Sequence, residues 1–259
     1  MDDPHRREAL SKVPEVTLLF WALKILATTL GETGGDAVTM SMQMGYAIGT
    51  LIFATLFVVA VTAQIRAKRF HPFLFWAVIA ATTTAGTTLA DLVDRSLGIG
   101  YGGGVRVLLL LLLATLALWH WTLGSISIDR IDSRKAEAFY WATVFFSQTL
   151  GTALGDQLAD SAGLGYAGSA LVFAAGLVLV ALAYYRTRVS RTLLFWIAFI
   201  LTRPLGATVG DFLDKPHAHG GLGLSRYIAT VVLAVVIVAT IALLPQRAEP
   251  LRSSGSASR

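Results

Sequence analysis

Apolar residues run along this chain in long blocks separated by short polar breaks. About 20 apolar residues cross a bilayer core. Windows of that size predict eight helices, at 15–36, 45–65, 72–93, 102–122, 138–158, 167–186, 192–213 and 226–245. Four of these blocks, every second one, carry acids where an apolar run should not. The first is "TLGETGGD" at 29–36, and "TAGTTLAD", "TLGTALGD" and "PLGATVGD" follow at 84–91, 149–156 and 204–211.

Aligned on the first glycine (Gly31, Gly86, Gly151, Gly206), each unit has an aspartate five residues later: Asp36, Asp91, Asp156, Asp211. Ten residues before each glycine stands a tryptophan preceded by an aromatic: Phe20-Trp21, Phe75-Trp76, Tyr140-Trp141, Phe195-Trp196. A tyrosine follows the aspartate by ten residues in three units (Tyr46, Tyr101, Tyr166), and an insertion delays it to Tyr227 in the fourth. An internal repeat has to be recognised before any motif is interpreted. The chain reads as an all-α polytopic membrane protein of four helical-hairpin repeats, at 15–65, 72–122, 138–186 and 192–245. Each repeat holds an even number of spans, so the four are expected to be parallel rather than inverted. A polar tail at 1–14 and a disordered tail at 246–259 flank them.

Composition supports this reading. The chain is 259 residues long, 55% hydrophobic and 14% charged, with no cysteine. A soluble domain carries about 25% charged residues. The absence of cysteine excludes disulfides and thiolate metal sites. The net charge of +5 could suggest nucleic acid, but the basic residues follow topology instead, so no nucleic-acid partner is expected. They gather in the tails and in alternate loops: Arg66, Lys68, Arg69; Arg130, Arg134, Lys135; Arg186, Arg188, Arg191. The positive-inside rule then puts both termini in the cytoplasm. The opposite loops hold little beyond Arg95, Lys215 and Arg226.

At a rise of about 1.5 Å per residue, each glycine lies roughly 15 Å, and each aspartate roughly 22 Å, beyond its aromatic pair. The aromatic pairs are expected in the inner interfacial belt. Gly31 with Gly35, Gly86 with Ala90, Gly151 with Gly155, and Gly206 with Gly210 make small-xxx-small pairs that let helices approach closely. Ionisable groups at membrane depth usually face an interior or a watery cavity. Asp36, Asp91, Asp156 and Asp211, with Glu32 added in the first repeat, therefore form a candidate cation or proton site. Asp36, Glu32 and Asp156 are its candidate metal ligands, with threonine hydroxyls as neutral oxygens suited to a hard divalent cation. The competing reading is that each aspartate caps the turn before the next helix. The second acids Asp94, Asp160 and Asp214 read as solvated loop residues. His217 and His219 offer a weak metal-capturing loop.

Two further charges break the fourfold pattern. Lys24 either snorkels to the interface or pairs with Glu32 or Asp36. Arg203, beside Pro204, lies too deep to snorkel and is expected to pair with an intramembrane carboxylate. Arg106 is expected to point to the interface or to Asp91 or Asp94. No phosphate loop, HExxH or GxSxG is present, so no enzymatic activity is expected.

The stretch "VPEVTLLFWALKILATTLGETGGD" with its three further "G…D" units resembles a bacterial family of uncharacterised, conserved membrane-anchored proteins. That resemblance spans Val13 to about Leu244 and implies a bacterial inner-membrane location without an activity. "ETGGD" is also similar to the acidic-glycine motifs of some cation exporters, which use inverted repeats. The expected function is secondary transport of a small cation, divalent or proton-coupled, with the lipid bilayer as partner. The alternative is a non-transporting scaffold or sensor whose repeats only fold the bundle. A homo-oligomer stays open.

Overall fold

A computed structural model describes residues 10–96, 98–128, 131 and 133–250. Eight long helices form: α1 (Leu18–Asp36), α2 (Gly45–Arg66), α3 (Pro72–Asp91), α4 (Tyr101–Leu123), α5 (Arg134–Asp156), α6 (Gly165–Arg186), α7 (Arg191–Asp214) and α8 (Arg226–Leu243). Six are long and apolar enough to cross a membrane; α1 and α5 carry too many polar residues to qualify by composition.

Local chemistry sets the helix starts. Thr17, Ser133 and Ser190 accept from the backbone N–H three residues on, at α1, α5 and α7, which satisfies an otherwise orphaned donor. Pro72 opens α3, where the missing N–H costs nothing. The "GY" turns before α2, α4 and α6 need a left-handed residue, and Gly45, Gly100 and Gly165 supply it at φ +75°, +70° and +65°.

The odd helices close a ring in the order α1–α3–α5–α7–α1, and the even helices surround it. Each even helix packs on the odd helix of the following repeat: α2 on α3, α4 on α5, α6 on α7, and α8 back on α1. The two helices of one repeat therefore do not form a packed hairpin. The tight approach of the odd helices holds the second helix away from its own partner.

The motif glycines set that approach. A Cβ at Gly31 would run into Thr83, one at Gly86 into Gln148 and Thr149, one at Gly151 into Arg203, and one at Gly206 into Thr28. Thr83, Gln148, Arg203 and Thr28 each lie three residues before their own repeat's glycine, and Thr149 two. One turn further, Gly35 faces Thr87 and Gly210 faces Glu32, so contacts step the same way along neighbouring odd helices. Threonine hydroxyls stitch these seams. Thr28 Oγ1 donates to the carbonyl of Thr202 (3.2 Å), and Thr83 Oγ1 donates to that of Ala27 (3.2 Å). Of the threonines expected to offer oxygens to an ion, Thr29, Thr33, Thr84, Thr149 and Thr208 donate to carbonyls of their own helices, and Thr87 and Thr152 accept from Arg203.

The first and last described segments meet at one end of the bundle. β1 (Leu10–Pro14) pairs antiparallel with β2 (Ala248–Pro250). Ala248–Pro250, expected within a disordered tail, is thus ordered by the N-terminal strand; residues 1–9 and 251–259 of the two tails, and Arg130, lie outside the described residues. Lys12 pairs with Glu137 and donates to the carbonyl of Ile65 at 3.0 Å, which fixes the small sheet to the bundle.

Candidate functional site

Helix residues four apart share a face. Counted from the motif glycine, positions −11, −7, −3, +1 and +5 of the odd helices are buried in every repeat except at Phe195, which is half-buried. They stack as layers along the ring's axis. Contacts between diagonally opposite helices show that these side chains meet in the middle. Lys24 of α1 reaches Gln148 of α5, and Arg203 of α7 reaches Thr87 of α3.

The first layer closes the axis at the sheet end. Each leading aromatic packs on the tryptophan of the next repeat: Phe20 on Trp76 (5.6 Å), Phe75 on Trp141 (5.6 Å), Tyr140 on Trp196 (6.2 Å), and Phe195 on Trp21 (5.8 Å). These pairs were expected as anchors in the inner interfacial belt. Instead Phe20, Phe75, Tyr140, Trp76, Trp141 and Trp196 are buried, because the glycine seams draw the odd helices together and the sheet covers their ends. Two indole N–H groups are satisfied there: Trp76 donates to Gln246 Oε1 (2.7 Å) and Trp196 to the carbonyl of Ile126 (2.9 Å).

The second layer holds Lys24 with Ile79, Val144 and Phe199. Lys24 is 0% exposed and neither snorkels nor reaches Glu32 or Asp36. Its ammonium lies 4.1 Å from the Phe199 ring centroid, 3.5 Å from Gln148 Oε1 and 3.4 Å from Thr202 Oγ1. The aromatic layer blocks its way to the interface, and the aspartates sit three turns, about 18 Å, further along the helix.

The third and fourth layers are bridged by Arg203, also 0% exposed. Its Nη2 lies 2.9 Å from Glu32 Oε2, 2.6 Å from Thr152 Oγ1 and against Thr87 Oγ1. Thr87 also donates to Glu32 Oε2 at 3.2 Å. The fourth residue of that layer is Ala207, whose small side chain leaves room for the guanidinium.

The fifth layer is the aspartate ring. Asp36, Asp91, Asp156 and Asp211 are all buried. They do not cap their helices. After Asp36, Asp91 and Asp156 the chain continues into a π-helical turn, at Ala37–Ser41, Leu92–Ser96 and Gln157–Ser161, and α7 runs past Asp211. Two tethered cations strap the ring in pairs. Arg95 Nε lies 2.8 Å from Asp91 and its Nη2 3.6 Å from Asp156. Lys215 Nζ lies 2.6 Å from Asp36 and 3.0 Å from Asp211. Each strap sits four residues after the aspartate of an even-numbered repeat and reaches to the next repeat. The corresponding residues of repeats one and three are Met40 and Asp160. The fourfold ring is therefore electrostatically twofold. Burial alone would lower the Lys215 pKa, but Asp211, Asp36 and Asp214 outweigh it and hold the value well above 10.5.

Asp36, Asp211 and Asp214 bring one carboxylate oxygen each within 4.8 Å of one another. This differs from the expected metal set. Glu32 lies one turn deeper, drawn to Arg203, and Asp156 belongs to the Arg95 pair. Asp214 and Asp94 are buried rather than solvated: Arg226 Nε lies 3.2 Å from Asp214 and 3.7 Å from Asp36, and Asp94 packs where a Cβ at Gly104 would sit. Asp160 stays exposed and accepts from Tyr101 OH at 3.1 Å. His217 Nδ1 lies 2.9 Å from the Gly221 carbonyl, and among the described residues the histidine pair joins no metal-capable group. Arg106 folds back on the Gly102 carbonyl (2.9 Å). The straps escaped prediction, although the spacings Asp91–Arg95 and Asp211–Lys215 carried the signal.

These features define a membrane protein built from four internal repeats around a polar axis. The chain belongs to the DUF347 family, a repeat of unknown function, which matches residues 19–70, 74–125, 139–190 and 194–245. The matched starts step by 55, 65 and 55 residues, the same steps as the motif glycines. No curated protein and no solved structure matches the chain.

Proposed function

We propose that the protein is a secondary transporter of a small cation, a divalent metal such as manganese or a proton-coupled ion, in a bacterial inner membrane. All eight helices cross the bilayer, the four repeats point the same way, and both termini are cytoplasmic. The outer helices carry the apolar surface, and α1 and α5 cross inside that shell, where their polar side chains face the axis. The aspartate ring then lies at the outer mouth.

The observation that carries this reading is the strapped ring: four buried carboxylates at one level, each pair held by a cation on a short tether. Asp36, Asp211 and Asp214 are hard oxygen donors that fit a divalent cation. To seat there, the cation has to displace the Lys215 ammonium. Binding and release of the tether would couple ion entry to movement of the mouth, and protons could exchange at the same carboxylates.

A second reading has its own support. The Glu32–Arg203 pair and the aromatic layer close the axis at two levels, as a non-transporting scaffold or sensor would have them. Flux in liposomes separates the two. Purified protein is reconstituted, and entry of Mn²⁺, Mg²⁺, Ca²⁺, Zn²⁺, Na⁺ and protons is followed beside Asp36→Asn. Selective flux that disappears in the variant is expected. A folded wild-type protein that moves none of these ions would leave the scaffold reading standing.

A further inference from the structure

From the second and third axial layers, we infer that the bundle binds a small monovalent anion of the halide class between Lys24 and Arg203. This stands apart from the cation reading: it concerns a different ligand, about three turns below the aspartates.

Charge is the first reason. Lys24 and Arg203 are both fully buried, and Thr202, next to Arg203 in the chain, lies 3.4 Å from the Lys24 ammonium. One acid, Glu32, is the carboxylate at this depth, and Nη2 of Arg203 already holds it. Two buried cations with one counter-charge leave an excess positive charge, which a low-dielectric interior penalises heavily.

Unspent donors are the second reason. Arg203 Nε and Nη1 and Gln148 Nε2 are buried without a hydrogen-bond partner. Beside the Phe199 ring face, the Lys24 ammonium has only long hydrogen bonds, at 3.4 and 3.5 Å, to neutral oxygens. All these groups are N–H donors, and they occupy adjacent layers. Buried donors are normally satisfied, and a cation could satisfy none of them. One anion would answer both the charge excess and the donors. A water molecule could accept from the donors but would leave the charge. The alternative is that Lys24 sits there as the neutral amine with nothing bound.

The test uses the full-length protein in detergent, with thermal unfolding followed in sodium gluconate and then with chloride or bromide replacing gluconate at constant ionic strength. Halide is expected to raise Tm by about 3 °C at ten times its Kd. Lys24→Ile copies the residue of repeat two, so an apolar side chain at this layer has a precedent in the same bundle. That variant is expected to lose the halide response. A wild-type Tm indifferent to halide, or a response unchanged in Lys24→Ile, would overturn the inference. Should the variant fail to fold, the wild-type protein crystallised in bromide decides: an anomalous peak between Lys24 Nζ and the Arg203 guanidinium is expected, and its absence would overturn the inference as well.

Discussion

Arg203 of α7 and Glu32 of α1 meet at 2.9 Å inside the ring, with the guanidinium also touching Thr87 and Thr152 of the two remaining odd helices. One side chain thus ties all four repeats together at a single level. Removing one partner of a buried pair leaves a bare charge and costs about 3–5 kcal/mol, whereas replacing both often costs far less. Glu32→Thr and Arg203→Thr each copy residues found in other repeats. Each alone is expected to lose stability on that scale, and the double variant to recover most of it. Denaturant melts of the three proteins check this; simple addition of the two losses would contradict it.

The glycine seams make a contrast within one helix. A Cβ at Gly31 would come within 2.5 Å of Thr83 Cβ, whereas one at Gly34 would meet Thr230 at an ordinary 3.5 Å. Gly31→Ala is expected to destabilise by about 1–3 kcal/mol through overpacking. Gly34→Ala should be neutral or slightly stabilising, since alanine favours the helix. Equal effects in thermal unfolding would refute a seam at Gly31.

Lys215 competes with any cation at Asp36, Asp211 and Asp214. Lys215→Gln is expected to tighten Mn²⁺ binding at least tenfold, about 1.4 kcal/mol, measured by titration calorimetry. An unchanged affinity would separate the strap from cation binding. The sign of its pH effect follows from the raised pKa. The stabilisation is complete below the ordinary lysine value of 10.5 and fades only as pH rises through the higher folded value. Between pH 7 and 10 the strap should therefore contribute no pH dependence to stability.

The aromatic layer seals the sheet end. Phe75 is fully buried and packs tilted against Trp141, with ring centroids 5.6 Å apart. Phe75→Ala is expected to cost about 3–5 kcal/mol through the cavity it leaves. In liposomes it should also raise passive proton leak. Wild-type stability in this variant would mean that the layer is not part of the packed core.

The repeat, its register and the interior placement of Asp36, Asp91, Asp156 and Asp211 were legible because four copies of one pattern display which spacings matter. Lys24 was misplaced for a physical reason. An aromatic pair beside a lysine normally marks an interface, but here the rings interlock inside the bundle and leave the lysine no exit. The Arg95 and Lys215 straps were hidden because they occur in only two repeats and belong to the turns beyond the aspartates. The splaying of each repeat could not be read at all, since hydrophobic length says where a helix lies but not which neighbour it chooses.

That splaying has a topological consequence. Every repeat lends its second helix to the next, and α8 returns the loan to α1 while β1 and β2 lie side by side. The sequence therefore has a beginning and an end, but the packing has neither. A circular permutant opened between α2 and α3 would break no helix contact in the ring. Only the charged pairs, Arg203 with Glu32 and the two straps with their aspartates, record which repeat is which.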